Sequence, residues 1–90
     1  MRPGSSVAVI GVGAVGMSAI MAAANIAKAA VVAAIDINAG RVALALELGA
    51  THGFGPGDGS YADMAAKAGR PAGFDYIIDT TGIAELCNQA

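Results

Sequence analysis

Ninety residues make one domain and hold its core to a modest size. Five Lys and Arg against seven Asp and Glu leave a formal charge of −2, which offers nucleic acid no basic surface. The single cysteine excludes an internal disulfide.

Met1-Arg2-Pro3-Gly4 lacks an apolar targeting core, so a cytoplasmic location is the default expectation. Val7-Ala8-Val9-Ile10 is a short apolar run, and a first strand is expected over 6–10. A helical pattern follows over 14–27, with Val15, Ala19, Ala22 and Ile26 set on one face by their spacing. Its alanine-rich body suits close contact with a sheet. Val31-Val32-Ala33-Ala34-Ile35 is a continuous apolar run, typical of a parallel strand buried on both faces, and a second strand is expected over 31–36. The stretch from 14 to 37 superficially resembles a membrane span. Asn25, Lys28 and the flanking turn signals interrupt it, and a helix followed by a strand accounts for it better. Asn38 is placed to cap a second helix over 39–48, with Val42, Ala45, Leu46 and Leu48 as its apolar stripe and Gly49 as its stop.

A short third strand is expected over 51–54. Gly55-Pro56-Gly57-Asp58-Gly59 is a loop by composition. Ser60 is placed to cap a third helix over 61–68, ended by Gly69 and Pro71. Phe74-Asp75-Tyr76-Ile77-Ile78-Asp79 reads as a fourth strand. Gly82 breaks it, and a further helix begins over 83–89. There is no internal linker and no solenoid repeat. Right-handed crossovers then give an α/β fold of Rossmann type: an open parallel sheet of order 3-2-1-4 with helices on both faces.

The run after the first strand carries chemistry. Gly11-Val12-Gly13-Ala14-Val15-Gly16 joins strand to helix, and Asp36 closes the second strand twenty residues after Gly16. This is the dinucleotide-binding fingerprint in its required context. Gly11 permits the tight turn, Gly13 lets backbone approach a pyrophosphate, and Gly16 lets the helix pack on the strand. Free N–H groups at the helix start, among them those of Ala14 and Val15, and the positive end of its dipole face the phosphates. Asp36 would accept hydrogen bonds from the adenosine ribose and repel a 2′-phosphate, which favours NAD over NADP. The plain alternatives are a glycine turn kept for packing and Asp36 as a surface acid. A methyltransferase pocket also joins a glycine turn to an acid after the second strand, but the full six-residue pattern argues against it.

The segment 3–16, together with Ala33-Ala34-Ile35-Asp36-Ile37-Asn38, Arg41, Leu44-Ala45-Leu46-Glu47-Leu48-Gly49-Ala50-Thr51-His52 and Asp75-Tyr76-Ile77-Ile78-Asp79-Thr80-Thr81-Gly82, resembles the coenzyme domain of zinc-type alcohol dehydrogenases. These form the medium-chain dehydrogenase/reductase superfamily, and the aryl (benzyl) alcohol branch is the nearest in kind. The likeness covers almost the whole chain. It implies that Asp36 binds ribose, that Arg41 contacts the ribose or its phosphate, and that Ile37 walls the adenine site. It also implies that Thr80, Thr81 and Gly82 border the coenzyme. Beside these stand plainer readings: Arg41 as a solvated helix charge, Ile37 as packing, Thr80 and Thr81 as turn formers. Lys28 departs from the family, which often turns with glycine there, and this puts the end of the first helix in doubt.

The remaining polar groups read as structural. His52 is a lone histidine after a glycine turn, Cys87 a small buried hydrophobe without a histidine partner, and Asp79 a hydrogen-bonding acid. The resemblance implies a zinc held by Cys, His and acidic ligands of a separate catalytic domain, a set this chain does not carry. It further implies more strands after the fourth. The expectation is therefore a portion of a larger coenzyme domain that binds NAD but does not turn over alone. The fourth strand, left as an apolar edge, is expected to drive homo-oligomer formation. The alternative function is a non-catalytic nucleotide-binding or self-associating module. Neither a membrane nor a nucleic-acid partner is expected.

Overall fold

A computed structural model describes residues 3–81. The expected helix over 83–89, with Cys87, and the motif residue Gly82 lie outside the described residues. Four strands form one parallel sheet: β1 (Ser6–Ile10), β2 (Val31–Ile35), β3 (His52–Phe54) and β4 (Tyr76–Asp79), in the order β3-β2-β1-β4. Between them run α1 (Ala14–Asn25), α2 (Ala39–Glu47) and α3 (Tyr61–Lys67). The order and the parallel sense agree with the sequence reading. A short 3-10 turn, Pro56–Asp58, interrupts the stretch read as loop.

Two small cores sandwich the sheet, and strand alternation sorts residues between them. Val7, Val9, Val32 and Ala34 point toward α1 and α2, where they meet Val12, Ile20, Ala23 and Ala45. Ala8, Val31, Ala33 and Ile35 point the other way, onto Phe54, Met64 and Ala68. Every residue of β2 is buried, as its unbroken apolar run requires.

The inward face of α1 differs from the one expected. Gly16, Ile20 and Ala23 are buried, whereas Val15 and Ala22 are exposed and Ile26 is 82% exposed. The cause is the contact at Gly16. A Cβ there would stand 2.2 Å from the Gly11 carbonyl oxygen, so this residue must face the strand. The buried set then continues at the helical spacing from Gly16. The helix also stops at Asn25, two residues early, and Lys28 makes the turn into β2 in the left-handed region at φ 58°.

Side-chain hydrogen bonds finish the ladder where the backbone pairing ends. Asp75 Oδ2 accepts from Ser6 N at 2.8 Å and Ser6 Oγ at 3.2 Å, and Asp75 N donates back to Ser6 Oγ at 2.8 Å. Thr51 Oγ1 takes the Val32 N–H at 2.9 Å. His52 lies 2.9 Å from the Thr51 hydroxyl and stacks on Phe54. No helix among the described residues is long and apolar enough to cross a membrane.

Candidate nucleotide-binding site

At the C-terminal ends of the strands, where open α/β sheets hold their ligands, a cavity of about 840 Å³ opens. The glycine turn is one wall. Gly11 takes φ +82°, and its N–H continues the sheet by donating to Ile35 O at 2.9 Å. A Cβ on Gly11 would meet Thr81 Cγ2 at 2.9 Å and Thr80 Oγ1 at 3.0 Å. Gly13 is different. Its φ of −75° and ψ of −159° suit any residue, and a Cβ there would meet nothing within 4 Å. Packing therefore explains Gly11 and Gly16 but not Gly13, which fronts the cavity.

The three helices start in different ways. Asn38 caps α2 by accepting from Arg41 N at 3.1 Å. Ser60 caps α3, and Asp63 reaches back to Ser60 N at 3.0 Å. The start of α1 has no side-chain cap and no acid in its first turn. Its first N–H groups, which no intrahelical carbonyl can satisfy, lie beside the cavity lined by Gly13, Ala14, Val15 and Gly16. Such an end attracts an anion.

Asp36 stands at the far side of the glycine turn. Its side chain is only 6% exposed. One oxygen, Oδ2, accepts from Val12 N at 2.8 Å, and the other, Oδ1, accepts from Asn38 N at 2.9 Å. Each still has acceptor capacity for a hydroxyl. Arg41 Nη1 lies 4.0 Å from Oδ2, the outer limit of an ion pair, with its side chain 57% exposed. Ile37 is 88% exposed at the cavity rim, so its side chain is not ordinary core packing.

Just past β4, Thr80 is buried and Thr81 exposed. The Thr80 hydroxyl points at carbonyls of the first strand and turn, Ile10 O at 3.0 Å and Gly11 O. Thr81 donates its hydroxyl and N–H to Asp79 Oδ1 at 2.5 and 3.0 Å. Those bonds, the hydroxyl first, hold the Asp79 carboxyl below its ordinary value. Asp79 thus caps the strand end, the structural role read for it.

The structure brings Gly11, Gly13, Ala14, Val15, Gly16, Asp36, Ile37, Arg41, Thr80 and Thr81 together around one cavity. Sequence reasoning missed a fourth wall, formed by Gly55, Pro56, Gly59, Tyr61 and Met64. The available signal was positional: a loop leaving the C-terminal end of a strand lies on the ligand side of such a sheet. No three His, Cys, Asp or Glu side chains come together as a metal site among the described residues, so those residues do not fit a zinc ion.

Parallel sheet, glycine turn, uncapped helix and strand-end acid together define a Rossmann-type nucleotide-binding half. Residues 14–90 match the profile of zinc-binding dehydrogenases, and the chain belongs to that family. It is 41% identical over 88 residues to geraniol dehydrogenase of Castellaniella defragrans, covering 98% of this chain and 23% of that protein. An alcohol dehydrogenase zinc-binding domain protein from Burkholderia ambifaria is 46% identical, with a TM-score of 0.79 over 98% of this chain and 23% of that one. A zinc-binding dehydrogenase structure from Sinorhizobium meliloti, bound to NADP, is 31% identical with a TM-score of 0.78, covering 93% of this chain and 25% of that one. The chain spans about a quarter of the length of these relatives.

Proposed function

We propose that this chain is the adenosine- and pyrophosphate-binding part of an alcohol dehydrogenase that uses NAD in preference to NADP. The observation that carries the reading is the start of α1: an uncapped helix end behind Gly13, a glycine the packing does not require, opening on the cavity. Pyrophosphate would sit on the free N–H groups, and the ribose hydroxyls would reach the remaining lone pairs of Asp36. Ile37 would wall the base, Arg41 would approach the ribose or its phosphate, and Thr80 and Thr81 would border the cofactor. Gly82 joins them by sequence.

The buried carboxylate of Asp36 supports NAD, because a 2′-phosphate beside it would meet a like charge that little water screens. Bound nicotinamide would supply the hydride acceptor. This chain's residues would bind and orient the cofactor's other end. The zinc that the family name implies would be held by parts of the parent enzyme outside these 90 residues. Alcohol as substrate is supported by the geraniol dehydrogenase likeness.

Titration calorimetry with NAD, NADP and AMP on the 90-residue chain and on Asp36→Ala tests the reading. The expected result is NAD binding tighter than NADP, AMP binding that persists, and NAD affinity at least tenfold weaker in the variant. A folded chain that binds none of the three would overturn it.

A further inference from the structure

Two side chains at the ends of different strands grip the glycine turn. Just past β2, Asp36 Oδ2 accepts the Val12 N–H at 2.8 Å. Just past β4, the Thr80 hydroxyl donates to Gly11 O, and the Thr80 N–H continues the sheet onto Ile10 O at 3.0 Å. The Gly11 carbonyl is confined on its other side as well, since Gly16 lies so close that a Cβ would stand 2.2 Å from its oxygen. Both grips fall on adjacent residues, Gly11 and Val12, immediately before Gly13. Thr80 is 3% exposed, and its hydroxyl hydrogen is directed at main-chain carbonyls.

We infer that Thr80 and Asp36 are positioning residues: they clamp the glycine turn from the ends of the two strands that flank β1 and so preset the N–H cradle for pyrophosphate. Thr80 then acts through the turn, by holding Gly11, where the family resemblance implies only that it borders the coenzyme. A cradle fixed before binding loses less freedom on binding, so the clamp adds affinity for the phosphates in particular. This inference rests on the nucleotide reading of the cavity. The clamp itself is made by the chain's own residues and can be measured separately.

The test uses Thr80→Val, which keeps the branched shape and removes the donor, with Thr80→Ser as the conservative control. One readout is calorimetry with ADP-ribose and with adenosine. Losing one hydrogen bond's worth of preorganisation predicts ADP-ribose binding weakened about 3- to 10-fold in Thr80→Val. Adenosine affinity should hold within about twofold, by the same reasoning that the base and ribose do not touch the turn's carbonyl. Thr80→Ser should match the parent chain. The second readout is hydrogen exchange of the Val12 amide, which Thr80 does not touch, measured without ligand against the Met64 amide of α3. Val12 exchange should speed up in Thr80→Val relative to Met64. Asp36→Ala, where it folds, should free the same amide directly.

Equal weakening of adenosine and ADP-ribose, or a Thr80→Val change that speeds Val12 exchange no more than Met64 exchange, would overturn the clamp. A parent chain that binds neither ligand would overturn the nucleotide reading instead, and the Val12 exchange would still decide whether the clamp exists.

Discussion

Three glycines of one motif make different demands, and substitution separates them. Gly16→Ala would drive a Cβ into the Gly11 backbone, which has nowhere to go between Thr80 and β1. Overpacking of that kind costs about 3 kcal/mol, a large part of a small domain's stability. Gly13→Ala meets no atom within 4 Å and needs no change of backbone. Its stability should stay within about 1 kcal/mol of the parent while nucleotide affinity falls at least tenfold. Urea melts paired with calorimetry check both, and a Gly13→Ala chain that binds normally would remove the cradle. Lys28 gives the opposite case. At φ 58° it holds a conformation that costs a side-chain-bearing residue about 1–2 kcal/mol, offset in part by the greater freedom glycine has when unfolded. Lys28→Gly should therefore raise stability by about 0.5–1 kcal/mol, seen as a higher thermal midpoint. At this scale the sequence was legible where a residue's conformational demand is visible in its type, as with Gly11 and Gly16, whereas Lys28 stood out only against the family's usual glycine. The inward turn of the Thr80 hydroxyl was not, because residue type does not say which carbonyl a hydroxyl will find.

Element by element, legibility followed contrast in the side chains. The apolar runs of β1 and β2 and the caps at Asn38 and Ser60 were readable because each is a local signal. The face of α1 was not readable, because a helix made largely of alanine shows little contrast between its sides, and the close contact at Gly16 fixes its rotation instead. Phe74 and Asp75 lie outside β4, which begins at Tyr76. The α3 segment is held by local polar contacts that also set its response to acid. Asp58 accepts from Gly55 N at 2.7 Å and meets Lys67 at 3.3 Å, and these bonds hold its carboxyl below the ordinary 3.8. Asp63 is lowered by its bonds to the Ser60 N–H and hydroxyl. An acid with a depressed value in the folded chain adds stability above its unfolded value and loses it as pH falls through the folded one. Stability should therefore hold on the neutral side and decline as pH drops from 3.8 through these lowered values. Urea melts at pH 6 and pH 3 should show that decline. Ser60→Ala, which removes the cap, should cost about 1 kcal/mol at pH 6 and less at a pH acid enough to protonate Asp63, which then no longer favours the same box. Equal costs at the two pH values would separate the cap from the acid.

For the molecule as a whole, the order of the sheet was legible because short crossovers with a fixed hand leave few arrangements for this alternation of elements. What surrounds the sheet was less so. Its two edges differ in kind. β3 has three residues with Gly53 at its centre, and a proline follows at Pro56, so it offers a poor template. β4 pairs with β1 on one side and reads Tyr76-Ile77-Ile78-Asp79, with Ile77 53% exposed and no lysine, proline or bulge to blunt it. Among the described residues no strand pairs with its outer side, and an open edge beside exposed apolar side chains holds the elements of edge-to-edge pairing. The 90-residue chain, prepared by itself, is therefore expected to self-associate through β4. Multi-angle light scattering should show a mass that climbs with concentration. Ile77→Lys should weaken that association at least tenfold, about 1.4 kcal/mol, because a charge would have to be buried in the new pair. Ile77 is already half in solvent, so the same change should leave the urea midpoint nearly unmoved. A chain that stays monomeric at every concentration would show that this edge is blunted by something other than its own sequence. A chain whose association survives Ile77→Lys would place the contact elsewhere, with the exposed Met21 and Ile26 of the α1 region as the next surface to vary.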